Sequence, residues 1–445
     1  MSQLVLIDLG LIGLEPTAQP DVRGGWLAAH RAWLVVITAA LLLGTLGAAA
    51  APGPPELSET RIVAGVGHDT RIIGDRLYVV TVDIADSGFG GRTVSAYRLP
   101  DAVALWHIPL SVPGGSIWMV AAQGTLLVGS DNEADPVTVA LDTTTGRPLW
   151  RGIGLPIGAV GAGDLALLRR PAPGESWQAV GGRIMAAVDT RTGRVAWSYP
   201  LPEAAQEVFA RSGARLTRSV VGAPSGRVEV RDLTTGELLV ARQLLAPPPA
   251  GQMSRFETWL QLAGDLVFAG DPGGPATAYE VNTLTPRWTA DVNLSRVTMS
   301  AACHPLMCAV GGDGGVRALD AATGTLRWSA QRLVSARAYG NALVGLAEGS
   351  DRSQPPVLQV VDPRTGYPIR NLAPWSLADS EPDAPPIAIR HDATTMQAWL
   401  GVVDVNLREV QPLGVVLNVV NGCDAGAGWV MCRHLDTSIG VWQYR

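Results

Sequence analysis

A short motif recurs along the 445-residue chain and constrains its fold more than any other sequence feature. The motif reads Ala-x-Asp-x-x-x-Gly-x-x-x-Trp. Its full copies comprise Ala140, Asp142, Gly146 and Trp150; Ala187, Asp189, Gly193 and Trp197; and Ala318, Asp320, Gly324 and Trp328. It predicts a strand, a tight turn in which glycine supplies a positive φ, and a second strand that carries the tryptophan. One such hairpin cannot bury its own apolar face, so the repetition implies neighbouring copies that cover it.

Partial copies extend the repeat in both directions. Val240 replaces the tryptophan that would follow Asp232, and Leu284 replaces the glycine that would follow Glu280. The acidic or equivalent marker positions of all copies are 98, 142, 189, 232, 280, 320, 362 and 404. Their mean spacing is about 44 residues, which matches the ~40–50 residues of four-stranded propeller blades. The sequence therefore predicts an all-β fold, a β-propeller of four-stranded antiparallel blades over residues 61–445.

The number of blades depends on how the two chain ends are counted. The final segment, Val415–Arg445, carries three strand signals and lacks a fourth, which Arg61–Val66 could supply. Sharing a blade between the two ends removes the open edge of the sheet. We favour eight blades with one irregular unit, the weakest signal being at 373–413, while seven or nine stay open.

Composition excludes several functions. All 34 basic residues are arginine and the net charge is −6. A chain without lysine cannot form a lysine Schiff base or a P-loop. Without a basic excess it is not expected to bind nucleic acid, which requires phosphate neutralisation. The bias towards arginine, alanine, glycine and proline indicates a GC-rich genome.

The N-terminal region predicts a membrane anchor. Residues 1–31 form a short tail without repeats, and residues 32–51 form an uncharged run of twenty. At about 1.5 Å per residue this run spans a hydrocarbon core of ~30 Å. Arg23 and Arg31 precede the run, which places the tail in the cytoplasm and the propeller outside. Residues 52–60 form a Pro-rich linker.

Two other interpretations of residues 32–51 remain. Ala49-x-Ala51 resembles a signal-peptide cleavage site, although the leader before it is long for a signal peptide. A buried core helix is the other alternative, and the absence of any charge over twenty residues argues against it.

The four cysteines form two pairs that are close in sequence. Cys303 and Cys308 span the turn between the first two strands of one predicted unit, and Cys423 and Cys432 span the corresponding turn of the last unit. Neighbouring antiparallel strands bring such residues near bridging distance, and outside the cytoplasm they should be oxidised. The alternative is zinc bound by each pair together with His304 or His434, which requires reduced cysteines and a further ligand.

The motif resembles the tryptophan-docking motif of the PQQ-like propeller families, which include the quinoprotein alcohol dehydrogenases and BamB. The similarity extends over about residues 61–445 and is greatest to membrane-anchored actinobacterial proteins with PQQ-binding-like repeats. It implies that Trp150, Trp197, Trp288 and Trp328 pack between adjacent blades. The quinoprotein dehydrogenases use adjacent cysteines, a calcium ion and a catalytic aspartate. This chain has no adjacent cysteine pair, so we expect no PQQ cofactor.

Other candidate sites are weak. Residues 131–135 form an acidic loop whose ligand order fits no calcium loop, and the glycine run 311–315 opens no helix, so it is not expected to bind phosphate. The histidines are His30, His68, His107, His304, His391 and His434, and none lies in a catalytic motif. His68 and Asp69 could form a base with its orienting carboxylate, but a turn is the simpler interpretation.

These observations leave three functional hypotheses. The first is a membrane-anchored, extracytoplasmic propeller that binds a protein or cell-envelope ligand without catalysis. The second is a transmembrane sensor that signals through residues 1–31. The third is a quinoprotein-like enzyme or a hydrolase with a site at the propeller channel. Variable loops between the second and third strands of the units are the usual binding surfaces of such folds.

Overall fold

The computed structural model describes most of the chain beyond residue 56. The described residues are Leu57 and 59–444, apart from 64–68, 83–90, 113–114, 132–135, 162, 176, 178–181, 247–258, 271–273, 295–296, 312–314, 349–355, 381–384, 393, 407 and 427. The predicted tail, membrane helix and most of the linker therefore lie outside the described residues, as do His68 and large parts of the variable loops. Within those described ranges, we find no helix with the length and apolar character needed to cross a bilayer.

Almost all of the described regular structure is β-strand, in groups of four antiparallel strands that we call units. Unit one contains β2 (Asp69–Ile73), β3 (Arg76–Val82), β4 (Arg92–Arg98) and β5 (Val103–Leu110). Unit two contains β6 (Ile117–Ala122), β7 (Thr125–Ser130), β8 (Val137–Asp142) and β9 (Pro148–Ile153). Unit three contains β10 (Leu155–Val160), β11 (Leu165–Pro171), β12 (Arg183–Asp189) and β13 (Val195–Leu201).

The next three units follow in chain order. Unit four contains β14 (Gln206–Ser212), β15 (Arg215–Gly222), β16 (Arg227–Asp232) and β17 (Leu238–Gln243). Unit five contains β18 (Trp259–Ala263), β19 (Leu266–Gly270), β20 (Pro275–Glu280) and β21 (Pro286–Asn293). Unit six contains β22 (Thr298–Ser300), a 3-10 turn (Ala301–Cys303), β23 (Leu306–Val310), β24 (Val316–Asp320) and β25 (Leu326–Ala330).

The last three units include the sheet in which the first described strand pairs with the last. Unit seven contains β26 (Leu333–Tyr339), β27 (Ala342–Ala347), β28 (Val357–Val361) and β29 (Pro368–Asn371). Unit eight contains β30 (Ser376–Leu377), β32 (Ile387–Asp392), β33 (Gln397–Asp404) and β34 (Glu409–Leu417). Unit nine contains β35 (Val419–Gly426), β36 (Trp429–His434), β37 (Ile439–Gln443) and the N-terminal strand β1 (Glu59–Ile62). The short strand β31 (Asp379–Ser380) pairs in parallel with β35.

The described strands thus form nine units, within the range of seven to nine that the sequence left open and one more than the number it favoured. Units three and four share one eight-stranded sheet, because β10 pairs in parallel with β15 between Val160 and Leu216. The first strands of units one and two, two and three, four and five, and five and six contact one another, as strands that converge on a common axis do. This is the arrangement of a β-propeller.

Hydrophobic clusters fill the interfaces between successive units, which we call seams. Nine clusters of buried residues are present in the described ranges, and each draws its members from two successive units. The last of these seams joins unit nine to unit one, where Ile62 and Trp429 pack with Leu77. The core is therefore divided among the seams.

The N-terminal strand closes the last unit. β1 pairs antiparallel with β37, with Glu59 opposite Trp442. The Nε of Arg61 donates a 2.8 Å hydrogen bond to the hydroxyl of Ser438, and Nε2 of the buried His434 lies 2.9 Å from a carboxylate oxygen of Glu59. These polar contacts hold an otherwise terminal strand in the sheet and remove an exposed edge.

The repeated motif forms the turn between the third and fourth strands of a unit. Asp142 accepts hydrogen bonds from the backbone amides of Thr144 and Thr145 at 3.0 and 2.9 Å, and Gly146 takes a φ of 71°. The position four residues after each marker has a positive φ in all eight copies, although only five are glycine: Ala102, Gly146, Gly193, Gly236, Leu284, Gly324, Gly366 and Arg408.

Each motif tryptophan packs on the glycine turn of the next unit. The indole Nε1 of Trp150 donates a 2.8 Å hydrogen bond to the carbonyl of Thr190. A Cβ built on Gly193 would lie 2.8 Å from Cδ2 of Trp150, so the indole occupies the space that any other residue would need. The same contact joins Trp106 to Gly146, Trp150 to Gly193, Trp197 to Gly236, Trp288 to Gly324 and Trp328 to Gly366.

We predict that Gly193→Ala destabilises the protein more than Gly213→Ala does. Both glycines have positive φ, at 70° and 57°, so both substitutions incur a backbone strain of about 1–2 kcal/mol. Only the methyl at position 193 meets the Trp150 ring, whereas the methyl at position 213 meets nothing within 4 Å. Overpacking should add about 1–3 kcal/mol. Chemical denaturation of the two variants measures the difference, and equal losses would contradict the packing role of the glycine.

Candidate functional site

The motif residues predicted from the sequence serve their own turns and seams. The aspartates hold their turns through hydrogen bonds that also stabilise the charged form. A bond from Arg327 and amides of the turn lower the pKa of Asp320 to about 2, and bonds from Thr145 and Thr192 lower the pKa values of Asp142 and Asp189. These carboxylates and indoles are therefore engaged within the fold, where they stabilise turns and the contacts between units.

Both cysteine pairs are disulfides. Cys303 and Cys308 join the two ends of the first turn of unit six, with a Cα–Cα distance of 5.8 Å. Cys423 and Cys432 lie directly opposite each other on β35 and β36, with a Cα–Cα distance of 4.1 Å. The zinc alternative is disfavoured, because a disulfide sulfur cannot serve as a thiolate ligand.

We predict that the purified, unreduced chain contains no free thiol. Iodoacetamide added after denaturation should modify none of the four cysteines, and all four should react after reduction. Intact-mass measurement counts the added groups. Four reactive thiols in protein isolated from its native compartment would contradict both pairings.

The histidines do not assemble a catalytic centre within the described part of the chain. His107, His304 and His391 lie in units one, six and eight. Burial lowers the pKa of His391, and His434 in unit nine is engaged with Glu59 and with the carbonyl of Leu417. The described residues contain no group of three or more His, Cys, Asp or Glu side chains placed to hold a metal ion.

The seam between units three and four contains a buried polar cluster. Glu207 on β14 pairs with Arg169 on β11 at 2.6 Å, and the Glu207 side chain is only 4% exposed. In the same seam, the guanidinium carbon of Arg231 lies 4.5 Å from the centroid of the Tyr199 ring. The hydroxyl of Tyr199 is 2.8 Å from that of Ser219. Burial raises the pKa of Tyr199 to about 12. It also raises the pKa of Glu207, despite the opposing charge of Arg169.

We predict that Glu207→Gln changes the pH dependence of stability. The folded chain binds the Glu207 proton more tightly than the unfolded chain does, for which the ordinary pKa is 4.5. The wild type should therefore lose stability as pH rises from 4.5 through the raised pKa, and the glutamine variant should lack this loss. Urea denaturation from pH 4 to 7 measures it, with the exposed Glu203→Gln as control. Parallel curves for wild type and Glu207→Gln would contradict the prediction.

A cleft lies between units six and seven, and we call it the 6–7 groove. It has a volume of about 940 Å³. It extends from the β28–β29 turn, at Thr365–Pro368, to the link between the two units, at Gln331–Leu333. Its lining residues are Trp328, Ser329, Ala330, Gln331, Arg332, Leu333, Ala347, Glu348, Val357, Gln359, Thr365, Gly366, Tyr367, Pro368 and Asn371.

The groove residues can be compared with the same positions of another seam. In the seam between units one and two, β5 contributes Ile108 two residues after its tryptophan, and β8 contributes Val139 three residues before its marker aspartate. Both pack in the apolar cluster of that seam. The corresponding residues of the 6–7 seam are Ala330 and Gln359. A shorter side chain and a polar one therefore stand where the seam between units one and two has two large apolar ones.

Sequence analysis did not identify the groove residues as a site. Aligning the copies of the motif would not have singled out Gln359, because the same position is also polar at Glu229, Thr277 and Arg317. Tyr367 could have been recognised in the same alignment, because the corresponding residues at 147 and 194 are arginine. The contact between units six and seven is what joins the groove residues into one site.

Comparison with known proteins gives one family. The family model described as outer membrane protein assembly factor BamB matches residues 90–259 and 258–366, more than half of the chain. No curated protein sequence matches.

Among solved structures, BamB from Moraxella catarrhalis is 13% identical, covering 88% of this chain and 100% of that chain, with a TM-score of 0.43. The designed protein Ika8 is 16% identical, covering 74% of this chain and 96% of that chain, with a TM-score of 0.46. A europium-containing methanol dehydrogenase is 12% identical, covering 87% of this chain and 84% of that chain, with a TM-score of 0.40.

Proposed function

Because this chain belongs to the family of the outer membrane protein assembly factor BamB, we propose that it is a membrane-anchored, extracytoplasmic propeller that binds a protein or cell-envelope ligand and works without catalysis. In this view the ring is a rigid scaffold that displays its ligand-binding surface outside the cell.

The 6–7 groove is the observation that carries the binding function. Its volume of about 940 Å³ lies within the ~300–1,000 Å³ typical of ligand clefts. At its mouth Tyr367 is 74% exposed.

Export and anchoring are parts of the same proposal. Two disulfides account for all four cysteines, which favours an oxidising compartment. Residues 32–51 would cross the membrane once, with residues 1–31 in the cytoplasm and the propeller outside. The bilayer is therefore one partner of the chain, through a single helix.

We further propose that the propeller has nine blades. Nine four-stranded units and nine inter-unit clusters support this number. Eight markers occur in the sequence because unit nine takes its fourth strand, β1, from the other end of the chain and so has no motif turn.

The function is tested by cross-linking in intact cells of the source organism. A photoreactive benzophenone amino acid replaces Tyr367 in the full-length chain, and in a matched variant it replaces Arg194, the corresponding exposed position of unit three. We predict a discrete protein or glycan adduct at position 367 that is absent at position 194. Denaturing electrophoresis and mass spectrometry of the membrane fraction identify the adduct.

Two outcomes would contradict the proposal. If neither position 367 nor position 194 gives a discrete adduct, the result would argue against a ligand at the rim of the propeller. A full-length chain that stays soluble after cell lysis, or whose N-terminus begins near Pro52, would argue against the anchor.

A further inference from the structure

We propose that the 6–7 groove binds a neutral oligosaccharide, with Tyr367 stacking on a sugar ring and the amide of Gln359 hydrogen-bonded to its hydroxyl groups. The inference rests on the proposed binding function and names the chemical class of the ligand. It follows from the exposed aromatic ring, the hydrogen-bonding groups and the charge of the groove.

The groove presents one aromatic ring to solvent. Tyr367 is 74% exposed, the most exposed aromatic side chain in the described part of the chain. It directly follows Gly366, which supports the Trp328 indole, so its backbone position is fixed by the seam. An aromatic face carries partial negative charge and attracts the weakly positive C–H groups on one face of a pyranose ring.

The polar lining consists largely of uncharged side chains. Gln331 and Gln359 each carry an amide with two donor hydrogens and an acceptor oxygen, and Asn371 provides a third amide. Its Oδ1 accepts a 2.8 Å hydrogen bond from the amide of Ala373, which fixes the orientation of this side chain. Sugar hydroxyls donate and accept at neighbouring positions, and amides complement both roles.

The charge of the groove favours a neutral ligand. Its charged lining residues are Arg332 and Glu348, one of each sign, at the end near the inter-unit link. Arg332 donates a 3.0 Å hydrogen bond to the backbone carbonyl of Glu348, which keeps the two residues together. A phosphorylated or strongly acidic ligand would require an excess of cations that this lining does not have.

Backbone pairing limits recognition at Gln359 to its side chain. A peptide that binds as an added strand needs an unpaired strand edge. The strand that contributes Gln359, β28, already pairs with β27 on one side and β29 on the other. The lining strands β25 and β29 are the outer strands of their units, so an uncharged peptide is included in the test as the competing ligand.

The test uses the full-length chain in lipid nanodiscs, because maltoside detergents would themselves offer sugar headgroups. Chitotriose, cellotriose and maltotriose are titrated by calorimetry, together with an uncharged, acetylated and amidated serine–threonine pentapeptide. We expect at least one trisaccharide to bind saturably and to protect the Tyr367 ring signals in NMR spectra. The pentapeptide should not compete.

Two groove variants and one control assign the binding to this site. Tyr367→Ala should weaken binding at least tenfold. The double variant Ala330→Ile/Gln359→Val restores the residues found in the seam between units one and two, so it should abolish binding while Tm stays unchanged or rises. Arg194→Ala, at the position corresponding to Tyr367 in unit three, should bind as the wild type does.

Several results would overturn the inference: no saturable binding of any trisaccharide, affinity unchanged in the filled double variant, or equal binding of the pentapeptide in the groove. Failure of the saccharide proposal can be distinguished from failure of the proposed function. A protein adduct at position 367 in cells without trisaccharide binding would retain the binding function and refute the saccharide. Trisaccharide binding without a discrete adduct in cells would support the groove and refute the cellular role.

Discussion

The contact of an indole with a glycine turn in the next unit is the interaction on which the ring depends. It joins five seams, from Trp106 on Gly146 to Trp328 on Gly366. Where it is lost, both partners change together: Val240 takes the place of the tryptophan, and the buried Leu284 takes the place of the glycine in the same seam. Leu284 keeps a φ of 50°, so the turn geometry survives while the packing is exchanged. The feature that all copies share is the positive φ at this position of the turn, whichever residue occupies it.

The sequence predicted the all-β class, the period and the turns because these depend on residues near one another in the chain. The ninth unit was harder to count, since its fourth strand begins at Glu59 and pairs with β37 at the far end. The cysteine pairs were predictable for the same local reason, with Cys423 directly opposite Cys432. The 6–7 groove was not predicted, because Ala330 and Gln359 lie on different units and only the contact between those units brings them together.

Polar residues enter the seams in two different ways. Between units three and four, Glu229 and Arg231 replace apolar residues but satisfy one another at 3.0 Å, so the seam stays filled. Between units six and seven, Ala330 and Gln359 line a cleft that is open to solvent. Residues that line a seam can therefore differ between units while the strands and turns that hold the ring together stay the same.

The pairing of β1 with β37 has a consequence for the order of folding. Residues 59–62 are among the first of the propeller to be synthesised, yet their partner strand lies at 439–443. The ring cannot close until nearly the whole polypeptide has emerged, and closure joins residues separated by almost the full sequence, the slowest kind of contact to form. Until that moment one sheet edge in unit nine and the apolar faces next to it are open. A nascent or truncated chain therefore depends on protection against self-association that the finished ring no longer needs.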